Sequence, residues 1–157
     1  MKNRQQEIVA QAERLRRQIL DVVQFELDFS GIRDINSVQA LIVDSIGESE
    51  MTVSELMWRG CYMGSNVSYN LKKLTEVGYL VQERSSHDRR VTIVRASQKG
   101  KDLCAALNSM NTRHMDSLAG ENINTEDITT CLKTLRNLQQ FWSRAIDSRL
   151  QKPAIQA

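Results

Sequence analysis

Apolar residues along this chain recur at two spacings, and the changes between them divide it into elements. From 7 to 29 they fall at steps of three and four, at Ile8, Ala12, Leu15, Ile19 and Val22. Glu13, Arg14, Arg16, Arg17 and Asp21 take the other side, so the spacing predicts a long amphipathic helix whose arginines form a solvated face. Its end is more apolar, with Phe25, Leu27 and Phe29, and Ser30-Gly31 stops it. A second helix is expected from Asn36 to Ile46, burying Val38, Leu41, Ile42 and Ile46 before Gly47. Thr52-Val53-Ser54-Glu55 has the form of a capping box and opens a short third helix through Leu56, Met57 and Trp58. Arg59 to Met63 reads as a turn eased by Gly60, with Trp58 beside it as a core or interface anchor. Val67, Leu71 and Leu74 then mark one face of a helix from Gly64 to Val77, and Gly78 suits a left-handed cap. The period drops to that of strands at Tyr79 to Arg84 and Val91 to Ala96, joined by the polar loop SSHDRR. Ser97 is placed to cap a long helix to Leu118, with Leu103, Leu107, Met110, His114 and Leu118 in line and His114 read as a packing residue. After a break at 119–122, Thr125 with Glu126 and Asp127 starts a last helix to Arg149. Ile128, Leu132, Leu135, Leu138, Trp142, Ala145 and Ile146 line it, and the tail 151–157 is expected to fray.

Helix, glycine, strand, basic loop, strand is the order of a winged helix-turn-helix. The expected fold is therefore mainly α with a small β-wing, a DNA-binding core at 36–100 inside a single domain of residues 1–157. With Val67, Leu71 and Leu74 inward, the fourth helix turns Ser65, Asn66, Tyr69, Lys72 and Lys73 outward, with Ser68 nearer its flank. Asn66, Ser68 and Tyr69 suit base edges, while Ser65, Lys72 and Lys73 suit phosphates. The plainer alternative is a solvated helix beside an ordinary hairpin, and the basic loop at wing distance counts against it. The helices at 7–29 and 97–149 are too long to be used up covering a small winged helix, and self-association would bury their apolar lines.

The run LTEVGYLVQERSSHDRRVTIVRASQKG resembles the MarR family of bacterial regulators, whose wing reads Asp-x-Arg, an apolar strand, then Leu-Thr-x-x-Gly. Here Asp88, Arg89 and Arg90 are followed by Val91 to Ala96, then Ser97, Gln98, Lys99 and Gly100, with Ala96 in place of Leu and Ser97 in place of Thr. The resemblance covers nearly the whole chain. It is similar also to the LdtR subgroup, which regulates L,D-transpeptidase genes and so implies cell-wall remodelling or stress targets. The resemblance implies a homodimer joined through its terminal helices, with recognition helices ~34 Å apart on a pseudo-palindromic operator. It sends Arg90 into the minor groove with Asp88 orienting it by a charge-assisted hydrogen bond, and leaves Arg89 as a phosphate contact. It further implies a small aromatic or phenolic effector between the dimer helices and the winged helix. Phe25, Phe29, Trp58 and Met63 could line such a pocket, and core packing explains each equally well.

Composition narrows the remaining classes. The net charge of +2 is small, but residues 52–101 hold nine Lys and Arg against four Asp and Glu, and the rest of the chain is acidic on balance. The basic excess therefore sits on the expected DNA module. No apolar run reaches the ~20 residues that span a bilayer, and no secretory signal is visible, so a cytoplasmic protein is expected. Cys61, Cys104 and Cys131 match no zinc or redox spacing, and two histidines add little, so neither metal nor cofactor is expected. Cys104 and Cys131 read as small buried thiols. Cys61 precedes the recognition helix, where a thiolate would be favoured, and is a candidate redox switch, although packing is its plainer reading because no resolving cysteine is evident. No phosphate loop, HExxH or GxSxG is present, which argues against an enzyme. A winged helix used for protein binding is the competing class, and salt-dependent binding to duplex DNA separates the two.

Overall fold

A computed structural model describes residues 2–60, 64–118 and 124–150. The element order is α1 (Lys2–Phe29), α2 (Ser37–Ile46), β1 (Glu50–Thr52), α3 (Val53–Gly60), α4 (Gly64–Glu76), β2 (Leu80–Arg84), β3 (Thr92–Ala96), α5 (Gln98–Leu118) and α6 (Thr125–Leu150). Contacts divide the chain into a unit from Met1 to Asn111 and another from Thr112 to Ala157. Among the described residues no helix is long and apolar enough to cross a membrane.

The core of the first unit is built where the helical lines converge. Val23 and Leu27 of α1, Ile42, Val43 and Ile46 of α2, Leu56 of α3, Val67, Leu71 and Leu74 of α4, and Leu103, Leu107 and Met110 of α5 are all buried. Each such side chain contributes ~1.5–3 kcal/mol of transfer free energy, so this cluster dominates the stability of the winged helix. Leu80 of β2 and Val94 of β3 close it from the sheet side.

The helix ends follow the sequence closely. Asn36 and Gln39 form a capping box at α2, and Thr52 with Glu55 forms the expected one at α3, with bonds of 2.7 and 3.1 Å. At the end of α4, Gly78 has φ +83°, the N–H of Tyr79 donates to the Leu74 carbonyl and that of Gly78 to Thr75. This pair of bonds is a Schellman cap, which needs the left-handed residue that glycine supplies without strain. Ser97 caps α5, its Oγ accepting from the N–H of Gly100 at 3.1 Å.

The sheet is larger than expected. β3 lies between β2 and β1, both antiparallel to it, and β1 pairs Met51 with Val94. A three-residue strand with one buried side chain leaves too little alternation to be read from sequence.

Burial sorts the remaining expectations. Ile8, Leu15, Ile19 and Val22 of α1 form an exposed apolar line in the single chain, because the 28 residues of the helix run well past the core that Val23 and Leu27 enter. His114 and Leu118 are exposed on α5, whose last described buried residue is Met110, so His114 does not pack within the single chain. Cys131 is exposed on α6, unlike Cys104, whose thiol is buried and donates to the Val43 carbonyl. Burial, with the Asp44 carboxylate adding to it, pushes the Cys104 thiol pKa up, which disfavours its reactive thiolate form. Trp58 is 69% exposed and is not a core anchor. Ile128, Leu132, Leu135, Trp142 and Ile146 form an exposed apolar line on α6. The tail 151–157, expected to fray, and Cys61 and Met63 lie outside the described residues.

Candidate nucleic-acid interface

α4 presents the face its sequence promises. Val67, Leu71 and Leu74 are buried, while Asn66, Ser68, Tyr69 and Lys72 are exposed and Lys73 is half-buried. Ser65 lies on α4, but its side chain falls outside the described set. Tyr69 is 69% exposed, an unusual position for a large ring on a helix with a well-packed inner face. Lys72 reaches Glu76 at 3.9 Å, with its side chain 80% exposed. A pair this long and this wet holds the ammonium weakly and leaves it able to swing to a phosphate.

The wing is fixed to α4 by short bonds. Gln82 of β2 donates to Thr75 Oγ1 at 2.7 Å and to the Leu71 carbonyl at 3.2 Å. The β2–β3 register, Leu80 with Ala96 through Arg84 with Thr92, leaves 85–91 as the tip. Within it Ser85 N–H donates to the Val91 carbonyl and Val91 N–H to that of Asp88, both at 2.9 Å. The Asp88 carboxylate accepts the main-chain N–H of Arg90 at 2.9 Å. It therefore shapes the turn from which Arg90 projects, and the bond is to the backbone, not to the guanidinium. Arg84 adds a bond from Nη1 to the Arg89 carbonyl at 2.8 Å. Arg89 and Arg90 are exposed, and neither guanidinium forms an ion pair among the described residues. The tip thus holds two cations on a turn that is itself bonded in place.

Three of the predicted contact residues meet in one cleft of about 380 Å³. Ser68 and Lys72 of α4 and Arg90 of the wing line it, with Thr52, Val53 and Ser54 from the start of α3. Ser54 is a neighbour sequence reasoning missed. Its position inside the capping box was the available signal, since the first N–H groups of a helix attract anions.

The root of the wing carries a charged cluster that sequence reasoning also missed. Tyr79 Oη donates to Asp34 Oδ1 at 3.0 Å, Lys99 Nζ donates to Asp34 Oδ2 at 2.7 Å, and the ammonium sits 4.1 Å from the centre of the Tyr79 ring. Burial alone would raise the Asp34 carboxyl, but the Lys99 and Tyr79 bonds outweigh it and hold it below the usual carboxylate range. Burial and then Asp34 push the Tyr79 phenol up, and the bond to Asp34 raises Lys99. The cluster ties the α1–α2 connection to the strand and helix that bracket the wing. Phe25 and Phe29, one turn apart on α1 and 73% and 81% exposed, share no burial with the core, so core packing does not account for them.

Residues 35–100 match the model of a winged helix DNA-binding domain. The chain is 34% identical over 139 residues to the exopolysaccharide II synthesis transcriptional activator ExpG of Rhizobium meliloti (strain 1021), covering 88% of this chain and 72% of that protein. Among solved structures it is similar to FabT of Streptococcus pneumoniae in complex with DNA, at 25% identity and TM-score 0.69, covering 89% of this chain and 98% of that one. A MarR mutant from E. coli complexed with operator DNA shares the fold at 15% identity and TM-score 0.69, covering 84% and 93%. These relatives are regulators and not enzymes. Taken with the outward polar face of α4 and the two-arginine wing tip, they show that the chain belongs to the winged-helix DNA-binding transcriptional regulators, and it shares its fold with MarR.

Proposed function

We propose that the protein is a cytoplasmic homodimer that reads a pseudo-palindromic operator sequence-specifically. Asn66, Ser68 and Tyr69 address base edges, and Ser65, Lys72 and Lys73 hold phosphates. Arg90 enters the minor groove from a turn shaped by Asp88, and Arg89 meets the backbone. The observation that carries this reading is the cleft where Ser68, Lys72 and Arg90 converge beside an exposed Tyr69, a polar and cationic surface on an otherwise apolar-packed module. The dimer is supported by the apolar lines that α1 and α6 leave exposed. The relative named for exopolysaccharide synthesis favours cell-envelope genes as targets, in keeping with the LdtR resemblance and its cell-wall or stress genes. Phe25, Phe29, Trp58 and Met63 are the side chains for a small aromatic effector, the first three supported by their exposure.

The test begins with genome-wide mapping of bound sites, which yields the operator. Asn66→Ala or Tyr69→Ala should then cost about 1–3 kcal/mol of discrimination between operator and scrambled duplex. Lys72→Ala should weaken both duplexes alike and flatten the salt slope by about one unit. Equal losses on both duplexes for all three variants refute the base contacts. Cys61, which follows α3 and precedes the positive end of α4, is the candidate redox switch. Peroxide should release the operator from the wild type but not from Cys61→Ser, and a wild type that keeps its operator when oxidised rules the switch out.

A further inference from the structure

Among the described residues Gln39 is the buried polar side chain, 5% exposed, and its side-chain bonds point to one task. Its Oε1 accepts the N–H of Asn36 at 3.1 Å, which closes the capping box of α2. That acceptance fixes which end of the amide is which, so Nε2 must face the other way. There it donates to Oδ1 of Asn70 on α4 at 3.1 Å. Asn70 is oriented in turn, and its Nδ2 donates to the main-chain carbonyl of Asn66 at 2.8 Å. Beside Asn36, the N–H of Ser37 donates to Gln24 Oε1 of α1 at 3.0 Å. Two sets of hydrogen bonds therefore meet at the Asn36–Ser37 peptide, one from Ser37 to Gln24 of α1 and one from Asn36 through Gln39 and Asn70 to the first half of the recognition helix, and no buried side-chain N or O among the described residues is left without a partner.

The apolar contacts of Val67, Leu71 and Leu74 hold α4 against the core but tolerate small rotations and slides, because apolar contact has no preferred direction. Base readout does not tolerate them, since a binding constellation works only within about 0.5 Å of its proper geometry. The bonds from Gln39 and Asn70 are directional, and they end on the carbonyl of Asn66, the residue assigned to base contact. We propose that Gln39 and Asn70 are positioning residues for operator recognition, setting the rotation of α4 about its axis and so which outward side chains face the bases. This rests on the base-contact reading of Asn66 and Tyr69 given above.

The test compares Asn70→Leu, Gln39→Met and the double variant. Asn70→Leu strands the buried amide of Gln39 and should melt early, whereas the double variant removes both polar groups and should regain much of that stability. A merely structural pair would regain discrimination along with stability. A positioning pair would not. The double variant should keep the wild-type affinity for scrambled duplex and the wild-type salt slope, while its preference for operator over scrambled duplex falls roughly tenfold, the order of one mismatched base pair. Wild-type preference in the double variant, or equal losses on both duplexes, overturns the proposal. A second measurement needs no DNA: amide hydrogen exchange in residues 66–71 should quicken roughly tenfold in the double variant while the buried part of α5 stays protected. Exchange that is unchanged, or that quickens everywhere, also overturns it. A wild type that fails to discriminate operator from scrambled duplex instead refutes the base-contact reading, and the exchange result then decides alone whether the two amides hold α4.

Discussion

Replacing Gly100 with alanine is the sharpest test of how the wing is seated. A Cβ there would land inside van der Waals contact with the Tyr79 carbonyl oxygen, 3.2 Å from Ala96 Cβ and 3.3 Å from Val43 Cγ1. The carbonyl cannot easily retreat, because it accepts bonds from the Ser97 N–H at 3.0 Å and the Ser97 hydroxyl at 3.1 Å. α5 must back away from the sheet instead, and overpacking of this kind costs ~1–3 kcal/mol. Alanine returns at most ~1 kcal/mol through its helix propensity, and less in a first turn. The net loss should be about 1–2 kcal/mol, which lowers Tm by roughly 2–8 °C in a chain of this size. The assay is a thermal melt followed by far-UV circular dichroism at one fixed protein concentration, because association shifts Tm. A Tm equal to or above wild type would show that α5 does not approach the wing root this closely. The same variant should bind operator less tightly, since Tyr79 and Ala96 are the residues from which the wing springs.

Asp34→Asn should destabilise the protein at neutral pH, and the gap from wild type should close in acid. The folded carboxyl lies below its usual range, so its contribution is present above the unfolded value of ~4 and is lost as pH falls through the folded one. Urea melts at several pH values check this, and a gap that persists unchanged well below pH ~4 would sink it. Leu135→Glu, on the exposed apolar line of α6, should shift sedimentation equilibrium toward monomer, because an unpaired charge buried at an interface costs ~3–5 kcal/mol. A wild type that is monomeric at micromolar concentration removes the dimer altogether.

Much of the fold was legible because its signals are local. The Thr52–Glu55 capping box, Gly78 and the two strand runs each declare themselves within a few residues, and the structure places each where the spacing puts it. What escaped was non-local. Lys99 bonds to Asp34 across 65 positions and Gln39 to Asn70 across 31, and in sequence each is an ordinary polar residue. The lines on α1, α5 and α6 were legible as amphipathic faces, but periodicity reports that a face is apolar and not what covers it. His114 and Leu118 continue the α5 line beyond Met110, where the core ends.

The same distinction separates recognition from regulation in this protein. The predicted DNA contacts lie on one helix and one hairpin within residues 65–90, so their grouping follows from two secondary structures, and the structure brings Ser68, Lys72 and Arg90 to one cleft. Electrostatics strengthens the reading, because two exposed guanidinium groups with no ion pair among the described residues, on a bonded turn, favour an anionic partner such as phosphate. An effector site has no such economy. Phe25 and Phe29 lie on α1 and Trp58 on α3, and each is a large apolar side chain in water. Whether a second chain, a small aromatic molecule or both cover them depends on surfaces the sequence does not place next to one another. Gln24 stands beside Phe25 on α1 and accepts the N–H of Ser37. A shift of α1 would reach the start of α2 through the Gln24–Ser37 bond and α4 through Gln39 and Asn70, beside the apolar core that Val23 and Leu27 share with Val67, Leu71 and Leu74.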